Sequence, residues 1–240
     1  MNNEDLIFDT RNPNRKAEVS VVLVFNSSNY HIDIKSVLES IEGQTLKSLE
    51  IIIYDNGSNT YRLKSLRSYL SRSRQFGGGA LLLNFISQRT FSQISSMTLK
   101  YATAQYILFL DDNIFLYPRC IGSLLSALKN SNASFTHCYI EIFGASRGIF
   151  NAYPWNDQSL MVGEPAEKFV LIKKAILEKS RNYSEDCLKS ENYQFWSKVN
   201  AIGGDGILVP EILMRCKINS NTKYRPIESQ LERTISYEYF

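Results

Sequence analysis

The chain is poor in the residues that most metal and redox chemistry relies on. Only two histidines occur, His31 and His137, which argues against a His-rich metal site or a histidine base. Its four cysteines, Cys120, Cys138, Cys187 and Cys216, are widely spaced and form no CxxC or Cys/His ligand pattern. Buried thiols in a reducing compartment are the expectation. No apolar run approaches the ~20 residues that span a bilayer, and Met1–Lys16 is too polar and charged to read as a signal peptide. These absences predict a cytoplasmic protein, at most peripheral to a membrane, in which Asn182-Tyr183-Ser184 goes unglycosylated. A net charge of only +3 gives no nucleic-acid signature, so no nucleic-acid partner is expected. The loop Phe25–Tyr30 holds no glycine, which excludes both a GxGxxG dinucleotide loop and a Walker phosphate loop.

What is present is enough apolar material for a substantial core, 44% of 240 residues, in one larger α/β domain or two small ones. Val19–Phe25 reads as a buried strand, and Asp33–Ile41 has helical spacing with Gly43 as its stop. Leu49–Tyr54 is a second strand, Leu63–Leu70 a helix, Ala80–Asn84 a third strand, and Ser92–Ala102 a helix. Tyr106–Leu110 is the fourth strand. This alternation predicts a mostly parallel, doubly wound sheet. A helix from Pro118 to Leu128, a strand over Ser134–Phe143, helices over Phe169–Lys179 and Glu191–Ala201, and a short strand Ile207–Pro210 make the second half mixed. The basic residues Arg62, Lys64, Arg67, Arg72 and Arg74 read as one surface helix face. It is either simply solvated or a contact for anionic lipid or a diphosphate-bearing acceptor.

The stretch Tyr106–Pro118 carries the strongest chemical signal. Its apolar run ends in Asp111-Asp112-Asn113, and ligands of parallel sheets gather at the carboxyl ends of strands. Acids there call for a divalent metal holding nucleotide phosphates, or else cap the following helix. Asp55, in Asp55-Asn56-Gly57-Ser58, ends another strand and either contacts a ligand or stabilises its own turn. Glu191 opens a helix whose Phe195 and Trp196 face the core; it is either a complement to the helix dipole or a general base. Tyr153 and Trp155, in a turn-rich loop, are available for stacking on a sugar ring or for ordinary packing.

Together these residues resemble the family 2 glycosyltransferases of GT-A fold, over about Glu18 to Asn219. Val19-Ser20-Val21-Val22-Leu23 is similar to the family's opening strand. Leu38-Glu39-Ser40-Ile41-x-x-Gln44-Thr45-x-x-x-Leu49-Glu50-Ile51-Ile52-Ile53-Tyr54-Asp55-Asn56-Gly57-Ser58 is a close and specific match. Asp111-x-Asn113 stands where the family has its metal-binding DxD, and the aromatic residues and Gly203-Gly204 after Glu191 also match. So does Phe169-x-x-Lys-Lys-Ala-Ile-Leu, before the acceptor-side loop, while Arg215–Arg225 is similar to the region closing such domains in larger, multidomain transferases. Three departures stand out. Val24-Phe25-Asn26-Ser27 replaces the usual Pro-Thr-Tyr-Asn. The Asn-x-Gly and Ala-Arg-Asn elements are not recognisable in Asn84–Thr98, and an amide, Asn113, occupies the second DxD position.

The resemblance implies a single GT-A domain. Residues 17–118 form its nucleotide-sugar half and 119–222 its acceptor half, between a flexible leader (1–16) and a C-terminal tail (223–240). It implies inverting transfer from a nucleotide-diphosphate sugar, UDP first, to a saccharide or lipid-linked acceptor, in cell-surface polysaccharide or glycolipid synthesis. Phe25, Asn26, Ser27, Asp55 and Asp111 are the expected nucleotide contacts. Asp111, Asp112 and Asn113 are expected to hold Mg2+ or Mn2+, with Glu191 as catalytic base and Tyr153 and Trp155 on the acceptor side. An amide oxygen binds a cation without charge, so weaker metal binding is expected, offset if the loop shifts to present Asp112. The rival expectation is a catalytically silent GT-A module that binds or scaffolds. A nucleotidyltransferase is disfavoured because its first loop needs glycine and basic residues.

Overall fold

The computed structural model describes residues 4–12, 14–26, 34–57, 60–72, 76, 78–85, 89–150, 155, 169–180 and 191–218. The expected first-half elements are all there: β2 (Val19–Asn26), α1 (Ile34–Glu42), β3 (Leu49–Asn56), α2 (Thr60–Arg72), β4 (Gly79–Phe85), α3 (Phe91–Tyr101) and β5 (Tyr106–Asp111). Before them runs β1 (Glu4–Asp9), within the stretch expected to be a flexible leader. After them come β6 (Ile114–Leu116), α4 (Cys120–Lys129), β7 (Phe135–Gly144), β8 (Gly148–Phe150), β9 (Leu171–Lys173), α5 (Lys174–Ser180), α6 (Glu191–Ala201) and β10 (Gly206–Ile218).

Among the described residues these strands form one large mixed sheet in the order β1-β4-β3-β2-β5-β9-β7-β10-β6, with β8 beside β7. The block β4-β3-β2-β5 is parallel, as is the pair β7-β10, while β1, β6, β8 and β9 join antiparallel. Strand alternation sorts the apolar residues onto two faces. Val19, Val21 and Leu23 of β2 belong to one core with Val37, Leu38 and Ile41 of α1 and with Ile121 and Leu124 of α4. Val22 and Val24 face the other way, towards Phe91 and Ile94 of α3 and Phe195, Trp196 and Val199 of α6. Strands buried on both faces read as unbroken apolar runs, which is why β2, β3 and β5 stood out in the sequence.

Two second-half expectations change. The helix expected over Phe169–Lys179 is a strand, β9, running directly into α5. Leu171 and Ile172 bridge β5 and β7, so both flanks and both faces of this segment are occupied. The short strand at Ile207–Pro210 extends to Ile218 because Pro210 falls in a register shift between Val209 and Ile212, where it removes no ladder bond. Cys120, Cys138 and Cys216 are buried and in no disulfide, and Cys187 lies outside the described residues. Lys64, Arg67 and Arg72 of α2 are exposed, whereas Arg74 is outside the described residues. Among the described residues, no helix is long and apolar enough to cross a membrane.

Candidate active site

Parallel pairing brings the strand-end residues to one edge. Phe25 lies opposite Asp55, Asn26 opposite Asn56, and Val24 opposite Asp111 in the ladders of β2 with β3 and β5. Asp55 also pairs with Asn84 of β4. By alternation, Asp55 and Phe25 fall on the α1 face, both fully buried, and Asp111 falls on the α3 face at the strand's half-exposed end. Beyond them Gly57 takes a φ of 91°, in the left-handed region where a side chain is strained, and turns the chain off the sheet.

Asn56 is nearly fully buried, and its amide holds the main chain of Arg89, just before α3. Its Oδ1 accepts from the Arg89 backbone N–H at 2.7 Å, and its Nδ2 donates to the Arg89 carbonyl at 3.1 Å. The Arg89 guanidinium lies 5.7 Å from the centroid of the Phe85 ring, and its Nε is buried without a hydrogen-bond partner. Arg89 directly precedes the helix-capping Thr90, and the first turn of α3 holds no acid.

The Asp111–Asn113 turn leads into β6, so it caps no helix. Asp112 is fully buried. Asn113 is buried too and bound to β10: its carbonyl accepts from Lys217 N–H at 2.9 Å, and its Nδ2 reaches the Lys217 carbonyl at 3.3 Å and Cys216 Sγ at 3.4 Å. On the far side of β6, the motif residue Gln44 is fully buried. Its Nε2 donates to the carbonyls of Tyr117 (2.8 Å) and Ser40 (3.0 Å), and its Oε1 accepts from Ile121 N–H (3.0 Å). Gln44 therefore pins the chain leaving the acidic corner to the end of α1.

Glu191 is the first residue of α6; its side chain is not among the described groups. The far end of that helix passes through Gly203 and Gly204 to β10, whose first residue pairs with Phe135 at the start of β7. Strands β7 and β5 run the same way, each antiparallel to β9, so α6 ends near the amino edge of the sheet and begins towards its carboxyl edge. Phe195, one turn after Glu191, meets Phe91 at 5.2 Å between ring centroids, and Phe91 meets Phe109 at 5.1 Å. Phe109 is two residues before Asp111. Glu191 thus opens on the same face of the sheet as Asp111.

Trp155, read from the sequence as available for sugar stacking or for ordinary packing, is packed. Only 9% exposed, it sits edge-on to Phe135 at 5.0 Å and 5.3 Å from Trp196. Burial in this aromatic cluster leaves little ring surface for a ligand, so the indole serves the core. Ser27 and Tyr153 lie outside the described residues. Among the described residues, no three His, Cys, Asp or Glu side chains are grouped to hold a metal ion. Asn113 lies beyond such a grouping, and its Oδ1 is buried with no donor facing it. An unclaimed amide oxygen two residues from a half-exposed carboxylate fits the oxygen-only preference of a hard divalent cation.

A parallel sheet with helices on both faces and acids at its carboxyl edge is the GT-A arrangement of nucleotide-sugar enzymes. The family model "Glycosyl transferase family 2" matches residues 21–187, well over half the chain, and the chain belongs to that family. Among solved structures it is similar to Staphylococcus aureus TarS 1–349 in complex with UDP-GlcNAc. The identity is 13% and the TM-score 0.68, over 92% of this chain and 66% of that one. It is also similar to the mannosyltransferase PcManGT from Pyrobaculum calidifontis in complex with GDP-Man and Mn2+, at 14% identity and TM-score 0.61, over 93% and 62%. A third is GalNAc-T7 with UDP, GalNAc and Mn2+, at 17% identity and TM-score 0.66, over 87% and 45%. The chain spans 60% of another TarS 1–349 structure and 39% of a longer one. No curated protein sequence matches it.

Proposed function

We propose that the protein is an inverting glycosyltransferase that moves a sugar from a nucleotide-diphosphate donor to a hydroxyl acceptor. The observation that carries this is the common edge: Phe25, Asn26, Asp55 and Asp111 meet in adjacent ladder registers, and α6 opens with Glu191 towards the same edge. In this reading Asp55 contacts the base, and the backbone of Phe25–Ser27 seats the ribose. Asp111 and Asn113 hold Mg2+ or Mn2+, which supplies charge to offset the leaving nucleotide. Asp112, being fully buried, shapes the turn that presents them.

Glu191 takes the proton of the acceptor hydroxyl as that oxygen attacks the anomeric carbon. The carbon–oxygen bond to the diphosphate breaks and its electron pair leaves with the nucleotide. Attack from the face opposite the leaving group inverts the anomeric centre and needs no protein nucleophile. The donor is a UDP-sugar first and a GDP-sugar next, and the acceptor is a saccharide or lipid-linked saccharide of cell-surface polymer or glycolipid synthesis. The work is done in the cytoplasm, at most peripheral to a membrane and within a longer multidomain transferase.

The test measures donor binding, hydrolysis and transfer for the wild type and for Glu191→Gln, using UDP-glucose, UDP-N-acetylglucosamine and GDP-mannose. Loss of a positioned base is expected to slow transfer about a hundredfold to ten-thousandfold while donor binding is retained. Transfer undiminished in Glu191→Gln would remove the assigned base. A wild type that binds nucleotide but processes none of these donors supports a silent binding module, in line with the neutral Asn113 held against β10.

A further inference from the structure

Among the described residues, every exposed large apolar side chain belongs to one quarter of the sheet. Tyr117 follows β6, Ile149 is on β8, and Ile207 and Ile212 are on β10. Single exposed apolar residues are ordinary, whereas a concentration of them points to a partner. Here the sheet also loses its helical cover. Phe135 and His137 of β7 are fully buried, with Trp196 of α6 packed 4.6 Å from the Phe135 ring. Tyr139, Glu141 and Phe143, which follow on the same face, are only half-buried. An open groove of about 610 Å³ results, lined in part by Glu141, Phe143, Arg147, Ile149, Ile212 and Arg215.

The groove holds an arginine in a fixed pose. Arg215 Nε donates to Glu141 Oε2 at 2.8 Å, and its guanidinium carbon lies 4.3 Å from the centroid of the Phe143 ring. The same carboxylate oxygen accepts from the Tyr117 hydroxyl at 3.0 Å, and Phe115 meets Phe143 edge-on at 5.6 Å. A half-exposed ion pair adds little stability, so its effect is to orient the fork. Among the described residues, no group bonds to either terminal Nη nitrogen of Arg215. Arg147 is exposed, and so is Lys217, opposite Phe143 in the β7–β10 ladder. Glu141, the acid of this face, is already engaged, so the groove is left cationic.

The groove also adjoins the acidic corner. Lys217 N–H donates to the Asn113 carbonyl at 2.9 Å, and Arg215 pairs with Phe115, two residues beyond Asn113. We infer that this groove seats the acceptor, and that the acceptor is an anionic saccharide. Its carboxylate or phosphate meets the Arg215 fork, which pairs two N–H groups with the oxygens of either anion. The C–H faces of its rings lie against Ile149 and Ile212. Apolar and cationic groups alternate within one open groove, which matches a sugar chain better than a continuous lipid tail. That this saccharide is the acceptor rests on the transferase reading above; that the groove takes an anionic saccharide rests on Arg215 and its surroundings.

NMR titration of the full chain tests this with trigalacturonate, ribitol 5-phosphate and maltotriose, as carboxylate, phosphate and neutral probes. Wild type, Arg215→Gln and Arg215→Lys are compared. One of the two anionic probes should bind about tenfold more tightly than maltotriose, and which one does identifies the anion. Arg215→Gln should erase that preference while leaving maltotriose binding unchanged, and Arg215→Lys should keep part of it. Thermal melts check folding, which a half-exposed ion pair leaves intact. Equal binding of anionic and neutral probes by wild type overturns the inference. So does undiminished preference in Arg215→Gln, or no binding of any probe. If an anionic probe binds through Arg215 while UDP and GDP give no thermal shift, the groove stands and the transferase reading falls. If a nucleotide binds and no anionic probe does, the groove assignment alone falls.

Discussion

His137 shows how a single side chain sets a pH limit. It lies fully buried on β7, its ring 6.3 Å from that of Phe135, and both ring nitrogens lack partners. Burial disfavours the imidazolium and lowers the pKa to about 4, from an ordinary 6.5. The unfolded chain therefore takes up a proton below about pH 6.5 that the folded chain refuses until about pH 4. Stability from this group is full above that window and falls as pH drops through it, by about 3 kcal/mol in all. Thermal melts from pH 7 to 4.5 should show His137→Phe losing less stability than wild type, and parallel curves would contradict the assignment. At this scale the sequence was a partial guide. Asp55 and Asp111 were legible because an acid ending an apolar strand is anomalous by itself. Asn56 and Gln44 were legible only as motif letters, because their partners lie 33 residues away at Arg89 and 73 to 77 away at Tyr117 and Ile121. Trp155 was left between sugar stacking and packing because loop composition does not disclose which rings a chain will pack beneath it.

At the scale of elements, the long buried strands and amphipathic helices were readable and the short strands were not. A three-residue strand such as β6, β8 or β9 has no periodicity to detect; it exists because a neighbour offers an edge. Strand β1 is the instructive case. Its backbone pairs antiparallel with β4, from Glu4 opposite Phe85 to Asp9 opposite Leu81, and so covers the outer rim of the sheet. Without it, the N–H and C=O groups of β4 would face solvent as a template for another chain. Deleting residues 1–9 should lower the melting temperature by roughly 5 °C. It should also produce concentration-dependent association in light scattering. An unchanged melt together with a monomeric truncation would show that β1 protects nothing.

For the molecule as a whole, the parallel block was foreseeable from strand–helix alternation, whereas the joining of both halves into one continuous sheet was not. That continuity depends on β9 bridging β5 to β7, through pairings such as Tyr106 with Lys173 that lie far apart along the chain. A ligand seated at the shared edge touches strands from across this sheet and should stabilise the entire fold. At about a hundred times its dissociation constant, a nucleotide adds about 2.7 kcal/mol, equivalent to roughly 5–10 °C for a chain of this size. A thermal-shift series with UDP, GDP and deoxythymidine diphosphate should single out one nucleotide. Replacing Mn2+ with EDTA should diminish that shift without abolishing it; a flat response throughout would count against a nucleotide site. The bonds from Asn113 to Lys217 carry one more implication. They tie the acidic corner directly to β10, so a new contact made at Lys217 is felt at the corner without passing through the core.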